Sequence, residues 1–149
     1  MSTKKPTCII GIGNTIRGDD GVGKYVAEQI EKNNLPGITV ITTHQLDMGL
    51  AEDISKFDTV LFIDASFSEN TFSLLPLLPD NHPSQSFSHQ VNASVIVSLS
   101  QQLFSTHTKF YICAIGVNNF EIGNGISETT KANADAAIAA ITNWLEENA

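Results

Sequence analysis

The chain has 149 residues, 8 of them Lys or Arg against 16 Asp or Glu, for a formal net charge of −8. That length suits one domain with a full core, and a single domain over residues 1–149 is expected. The acidic balance excludes general binding to nucleic acid or an anionic membrane surface, both of which need a positive footprint.

Hydrophobic content of 42% and charged content of 16% are those of an ordinary globular protein. The two cysteines, Cys8 and Cys113, both fall in apolar runs and read as buried free thiols rather than redox or metal-binding groups. No run approaches the ~20 apolar residues of a membrane span. The apolar stretch behind Lys4-Lys5 is also too short for a signal peptide, so a cytoplasmic protein is expected.

Thr7–Ile12 is apolar and β-rich and runs into glycines, which predicts a buried strand. From Val22 the apolar residues Val22, Val26 and Ile30 recur every four positions, one face of a helix that ends near Asn33-Asn34-Leu35-Pro36-Gly37. Ile38–Thr43 is a second strand, and Met48–Ser55 a short helix. Thr59–Ala65 is the strongest strand pattern in the chain. Phe72–Leu77 follows too closely for a crossover helix to intervene, so it should lie antiparallel or at an edge.

Leu78–Ser88, with its prolines and serines, reads as loop, and Val91, Val95, Leu99 and Leu103 then form a helical stripe. Lys109–Ile115 is another buried strand, followed by a loop over Gly116–Ser127. Ala134, Ala137, Ile138, Ile141, Trp144 and Leu145 mark a final amphipathic helix with Ser127 as its N-cap. Strands alternating with helices imply an α/β fold: a three-layer α/β/α sandwich around a twisted, mostly parallel sheet of about five strands.

In such sheets ligands bind beyond the carboxyl ends of the strands, where strand order reverses. Right-handed crossovers give a 2-1-3 order, which sets the first and third strands side by side. The first leads into Gly11-Ile12-Gly13-Asn14-Thr15-Ile16-Arg17-Gly18-Asp19-Asp20-Gly21-Val22-Gly23, and the third ends with Asp64-Ala65-Ser66. Carboxylates from both should therefore meet in one crevice.

The loop does not suit phosphate. A dinucleotide-binding turn would need glycine where Ile16 stands, a phosphate loop would need Gly-Lys-Ser/Thr, and two acids repel an anion. A purely structural role, with Asp19 capping the helix, accounts for one acid but not for Asp20 and Asp64 as well. The third reading is a cation site, to which hard carboxylate ligands are suited. Among the histidines, His44 follows the second strand and can face the same crevice, and His89 lies at the mouth of the long loop just before a helix; taken singly, each reads as an ordinary histidine rather than a ligand. His82 and His107 read as surface residues.

Taken together, the glycine-rich loop with its double acid, Phe62-Ile63-Asp64-Ala65, Ser88-His89-Gln90 and Phe120–Ser127 resemble the hydrogenase maturation endopeptidases, across nearly the whole chain. The resemblance implies a processing protease that removes the C-terminal extension of a nickel-iron hydrogenase large-subunit precursor. It implies three metal-contacting and catalytic residues, Asp20, Asp64 and His89, with nickel supplied by the precursor and with Asn14 and Asp19 in support. Asp20 is preferred to Asp19 because the family's ligand directly precedes a helix-opening small residue, here Gly21. Gln45-Leu46-Asp47-Met48 and Gln90-Val91-Asn92 depart from the family pattern and bear on substrate identity.

No Ser-His-Asp or Cys-His arrangement presents itself for covalent catalysis. The competing readings are a non-catalytic chaperone that binds nickel or precursor on the same fold, and a nucleotide-binding domain. A monomer is expected.

Overall fold

The computed structural model describes residues 6–14, 18–67, 70–78, 93–104, 107–117 and 125–147. The strands are β1 (Thr7–Ile12), β2 (Ile38–Thr43), β3 (Thr59–Phe67), β4 (Phe72–Pro76) and β5 (Lys109–Val117). The helices are α1 (Val22–Lys32), α2 (Leu50–Ile54), α3 (Ala93–Phe104) and α4 (Glu128–Glu147), and a one-turn 3₁₀ helix, Gly18–Gly21, precedes α1.

The strands form one sheet in the order β2-β1-β3-β5-β4. All neighbours are parallel except β4, which runs antiparallel to β5 at the edge. The expected three-layer α/β architecture with a 2-1-3 start is therefore present. Its cause is visible in the strands, where most residues are apolar and successive side chains enter opposite layers. Ile9, Leu61, Ile63, Cys113 and Ile115 pack with Val26 and Ile30 of α1 and Ala134, Ala137 and Ile141 of α4. Cys8, Ile10, Val60, Phe62 and Phe110 pack with Ala51 and Ile54 of α2 and Ile96 and Val97 of α3.

Both thiols are fully buried, one in each layer, and burial pushes both up to about 12, with Asp53 adding to the effect at Cys8. A thiol held that far from ionisation is a packing group and not a nucleophile.

Helix α1 lies unusually close to the sheet because glycines remove the intervening side chains. A Cβ at Gly23 would meet the carbonyl oxygens of both Ile12 and Ile63, and one at Gly11 would lie 2.6 Å from the carbonyl oxygen of Gly23. Backbone cannot yield as a side chain can, so this seam between β1, β3 and α1 accepts only glycine.

Two predicted strands continue further than their patterns suggest. β3 extends past Ala65 to Phe67, and β5 past Ile115 to Val117, because the two pair with each other residue for residue out to Phe67 and Val117. The predicted helix over Met48–Ser55 forms only over Leu50–Ile54. The final helix is as expected: Ser127 Oγ accepts the backbone N–H of Thr130 at 3.3 Å, the bond of an N-cap. Most of the long loop, with His82, lies outside the described residues.

Candidate active site

β1 pairs with β3 only as far as Gly11 and Ile63. The next residue of β3 is Asp64, which stays paired with β5 opposite Ala114. Asp64 thus lies within β3, not at its end as the sequence suggests. It stands where β1 turns away and the sheet opens into a crevice. A carboxylate inside an apolar strand is costly, and this gap is what lets Asp64 stay half-buried instead of fully enclosed.

The turning chain fills one side of that crevice. Gly13 donates to Thr43 O at 2.9 Å, holding the loop against the end of β2. The chain then returns through the 3₁₀ turn, begun by Gly18 at a left-handed φ of 57°. A Cβ at Gly13 would strike the carbonyl oxygen of Asp20, so the two ends of the loop are in close contact. Thr15–Arg17 lie outside the described residues.

The adjacent aspartates are placed very differently. Asp19 is fully buried, and its carboxylate accepts the backbone N–H of Ser127 at 2.7 Å and the Ser127 hydroxyl at 3.1 Å. It joins the first loop to the start of α4 across 108 positions of sequence. The sequence suggested Asp19 as the cap of α1, but the residue at that cap is Gly21, with no side-chain capping bond. Asp19 supports the start of α4 instead. Asp20 is half-buried, and its Oδ2 accepts the N–H of Asn14 at 3.2 Å.

Asp20 and Asp64 face one another electrostatically. Burial pushes the Asp64 carboxyl up to about 7, the Ala65 N–H at 2.8 Å opposes the rise, and the charge of Asp20 adds to it. The structure therefore places Asp20 within electrostatic reach of Asp64, two of the three site residues read from the sequence. The third, His89, lies outside the described residues. Among the described residues no three His, Cys, Asp or Glu side chains gather around one point. The two carboxylates are hard oxygen donors whose mutual repulsion a cation would relieve, so they fit part of a metal-contacting set and not a closed one. His44 is exposed and turns its Nδ1 towards the Gly13 carbonyl oxygen, 3.3 Å away, at the rim of the same crevice. His107 is exposed, as expected.

The raised carboxyl has a consequence for stability. Its pKa is about 7 when folded against 3.8 for the free group, so the folded protein binds the proton more tightly. The associated stability is complete below pH 4 and is lost as pH rises through 7. A displacement of this size corresponds to about 4 kcal/mol in full. Solvent screening at a half-buried position reduces that to about 1–2 kcal/mol. Asp64→Asn is therefore expected to be more stable than the parent by about 1–2 kcal/mol at pH 8, and equal to it below pH 4. Urea unfolding with chelator at both pH values checks this, and equal midpoints at pH 8 would refute it.

No protein-family model matches the sequence, and no curated protein does. Solved structures do. The chain is similar to a nickel-iron hydrogenase maturation protease from Thermococcus kodakarensis, with 23% identity and a TM-score of 0.79 over 97% of this chain and 95% of that one. It is similar to the hydrogenase maturating endopeptidase of E. coli at 17% identity and a TM-score of 0.72, covering 95% and 93%. A hydrogenase 2 maturation peptidase from a Thaumarchaeota archaeon matches at 21% identity and a TM-score of 0.68, covering 95% and 98%. The chain has the fold of the hydrogenase maturation proteases.

Proposed function

We propose that this protein is an endopeptidase that removes the C-terminal extension of a nickel-loaded nickel-iron hydrogenase large-subunit precursor. The observation that carries this reading is the placement of Asp20 within electrostatic reach of Asp64 where β1 leaves the sheet, on the fold of the maturation proteases. The glycine-rich loop with its double acid, which carries the sequence resemblance, builds that crevice.

Nickel enters as part of the substrate. Asp20 and Asp64, with His89 as the third contact, dock onto the metal already held by the precursor. Two carboxylates and one imidazole leave its coordination incomplete, so the metal is read without being stripped away. Docking holds the scissile peptide in the crevice and supplies the entropic advantage of proximity. The bond is then cut by water, with a crevice carboxylate accepting its proton. Cys8 and Cys113 are enclosed in the core, so neither supplies a covalent nucleophile. The protein acts as a cytoplasmic monomer in this reading.

The test is incubation with purified precursor, loaded with nickel or free of it, scored by the mobility shift of the large subunit. Only loaded precursor is expected to be shortened. Equal cleavage of both forms would overturn recognition through nickel. Binding of loaded precursor without cleavage would favour a non-catalytic maturation chaperone.

A further inference from the structure

The sheet ends on β2, and among the described residues nothing pairs with its outer edge. Edge strands are usually blunted by a charge, a proline or a bulge, because their free N–H and C=O groups otherwise recruit another chain. Ile38-Thr39-Val40-Ile41-Thr42-Thr43 has none of these, and its parallel register with β1 is unbroken from Ile38 to Thr43.

The register also says which groups are free. Thr7 N donates to Gly37 O and Gly13 N to Thr43 O, and in a parallel ladder the bonding residues of one strand alternate. Thr39, Ile41 and Thr43 thus face β1. Ile38, Val40 and Thr42 direct both N–H and C=O outward.

A groove flanks this edge on each face of the sheet. One, of about 390 Å³, is lined by Ile41, Thr43 and Leu50, with Asp47 and Asp53. The other, of about 290 Å³, is lined by Ile38, Val40, Ile30 and Leu35, with Glu31. An added strand sends alternate side chains to opposite faces, one set towards each groove. The charged residues lining both grooves are all acidic.

We propose that β2 is a docking edge for an extended peptide with basic and apolar side chains, which adds to the sheet as a sixth strand. The open edge supplies the main-chain hydrogen bonds, the two grooves take the alternate side chains, and the acidic lining selects the charge. The edge leads to the crevice, since the end of β2 is bonded through Thr43 to the loop that carries Asp20. Naming the peptide as the precursor's extension rests on the endopeptidase reading; strand addition itself rests on β2 alone.

The probe is a capped hexapeptide of alternating Val and Lys, titrated into the full ¹⁵N-labelled chain. Chemical shifts are expected to move over residues 37–44. Amide exchange should slow at Ile38, Val40 and Thr42, while Thr39, Ile41 and Thr43 are protected before the peptide is added. Two peptides, N-methylated on every Val or on every Lys, should differ at least tenfold in affinity, because only one pattern blocks the bonded edge. Val40→Pro removes one outward N–H without touching the inner ladder and should weaken binding at least tenfold. If that variant does not fold, the paired N-methylated peptides decide the matter on the parent protein. Replacing Lys by Glu in the peptide should weaken binding at least fivefold.

Shifts centred elsewhere, or equal affinity of the two N-methylated peptides, would overturn the proposal. Protection of the same three amides without peptide, at twice the chain mass, would assign the edge to a second copy instead. Peptide binding on β2 together with an uncut nickel-loaded precursor would overturn the endopeptidase reading and leave strand addition standing.

Discussion

Asp20→Asn is expected to lower the rate of precursor processing by about a hundredfold or more while leaving the fold intact. The Asn14 N–H now donates to a carboxylate oxygen of Asp20 at 3.2 Å, and an amide oxygen at the same position can accept that bond. The local turn therefore keeps its partner. What disappears is a negative charge beside Asp64, and with it one of the hard oxygen donors offered to the precursor's metal. The variant should match the parent's unfolding free energy in urea within about 0.5 kcal/mol and still bind precursor weakly. The measurement is the initial rate of large-subunit shortening under single-turnover conditions. Processing at the parent's rate would remove Asp20 from the proposed mechanism.

Asp19→Ala is expected to do the reverse, although the two residues are neighbours. Asp19 is fully buried and holds both the N–H and the hydroxyl of Ser127, which itself caps α4 through Thr130. Truncation leaves the half-buried Ser127 donors without their acceptor and loosens the cap, at a cost of about 3 kcal/mol. For a chain of this size the melting temperature should fall by about 6–12 °C. Below that lowered temperature, with Asp20 and Asp64 untouched, processing should retain a substantial fraction of the parent's rate. A melting temperature within 2 °C of the parent's would show that the link to α4 contributes little. Measured together, the two variants separate a residue that holds the crevice in shape from one that works inside it.

Much of this architecture is legible in the chain because its causes are local. Thr7–Ile12 and Thr59–Ala65 read as strands from their β-branched and apolar content, and Val22, Val26 and Ile30 read as a helix from their spacing. The short gap before Phe72 forced the antiparallel edge, and Ser127 was recognisable as an N-cap. Chain connectivity and the handedness of crossovers then placed the first and third strands side by side, which is enough to bring Asp64 near the loop with the double acid.

What the sequence could not supply depends on contacts between distant segments. β3 reads as stopping at Ala65 because Ser66 is polar, yet β5 carries it to Phe67 by pairing along its whole length. Asp64 is tolerable inside that strand only because β1 leaves the ladder one residue earlier. The bare edge of β2 becomes evident only once strand order is known, since its residues look like those of any partly buried strand.

By itself, then, the sequence determined an α/β sandwich, a glycine-rich acidic loop and a partner carboxylate at Asp64. Only the tertiary structure separated Asp19 from Asp20. Local pattern treats adjacent aspartates alike, whereas burial is set by whatever packs on each, and Asp19 meets Ser127 from 108 positions away.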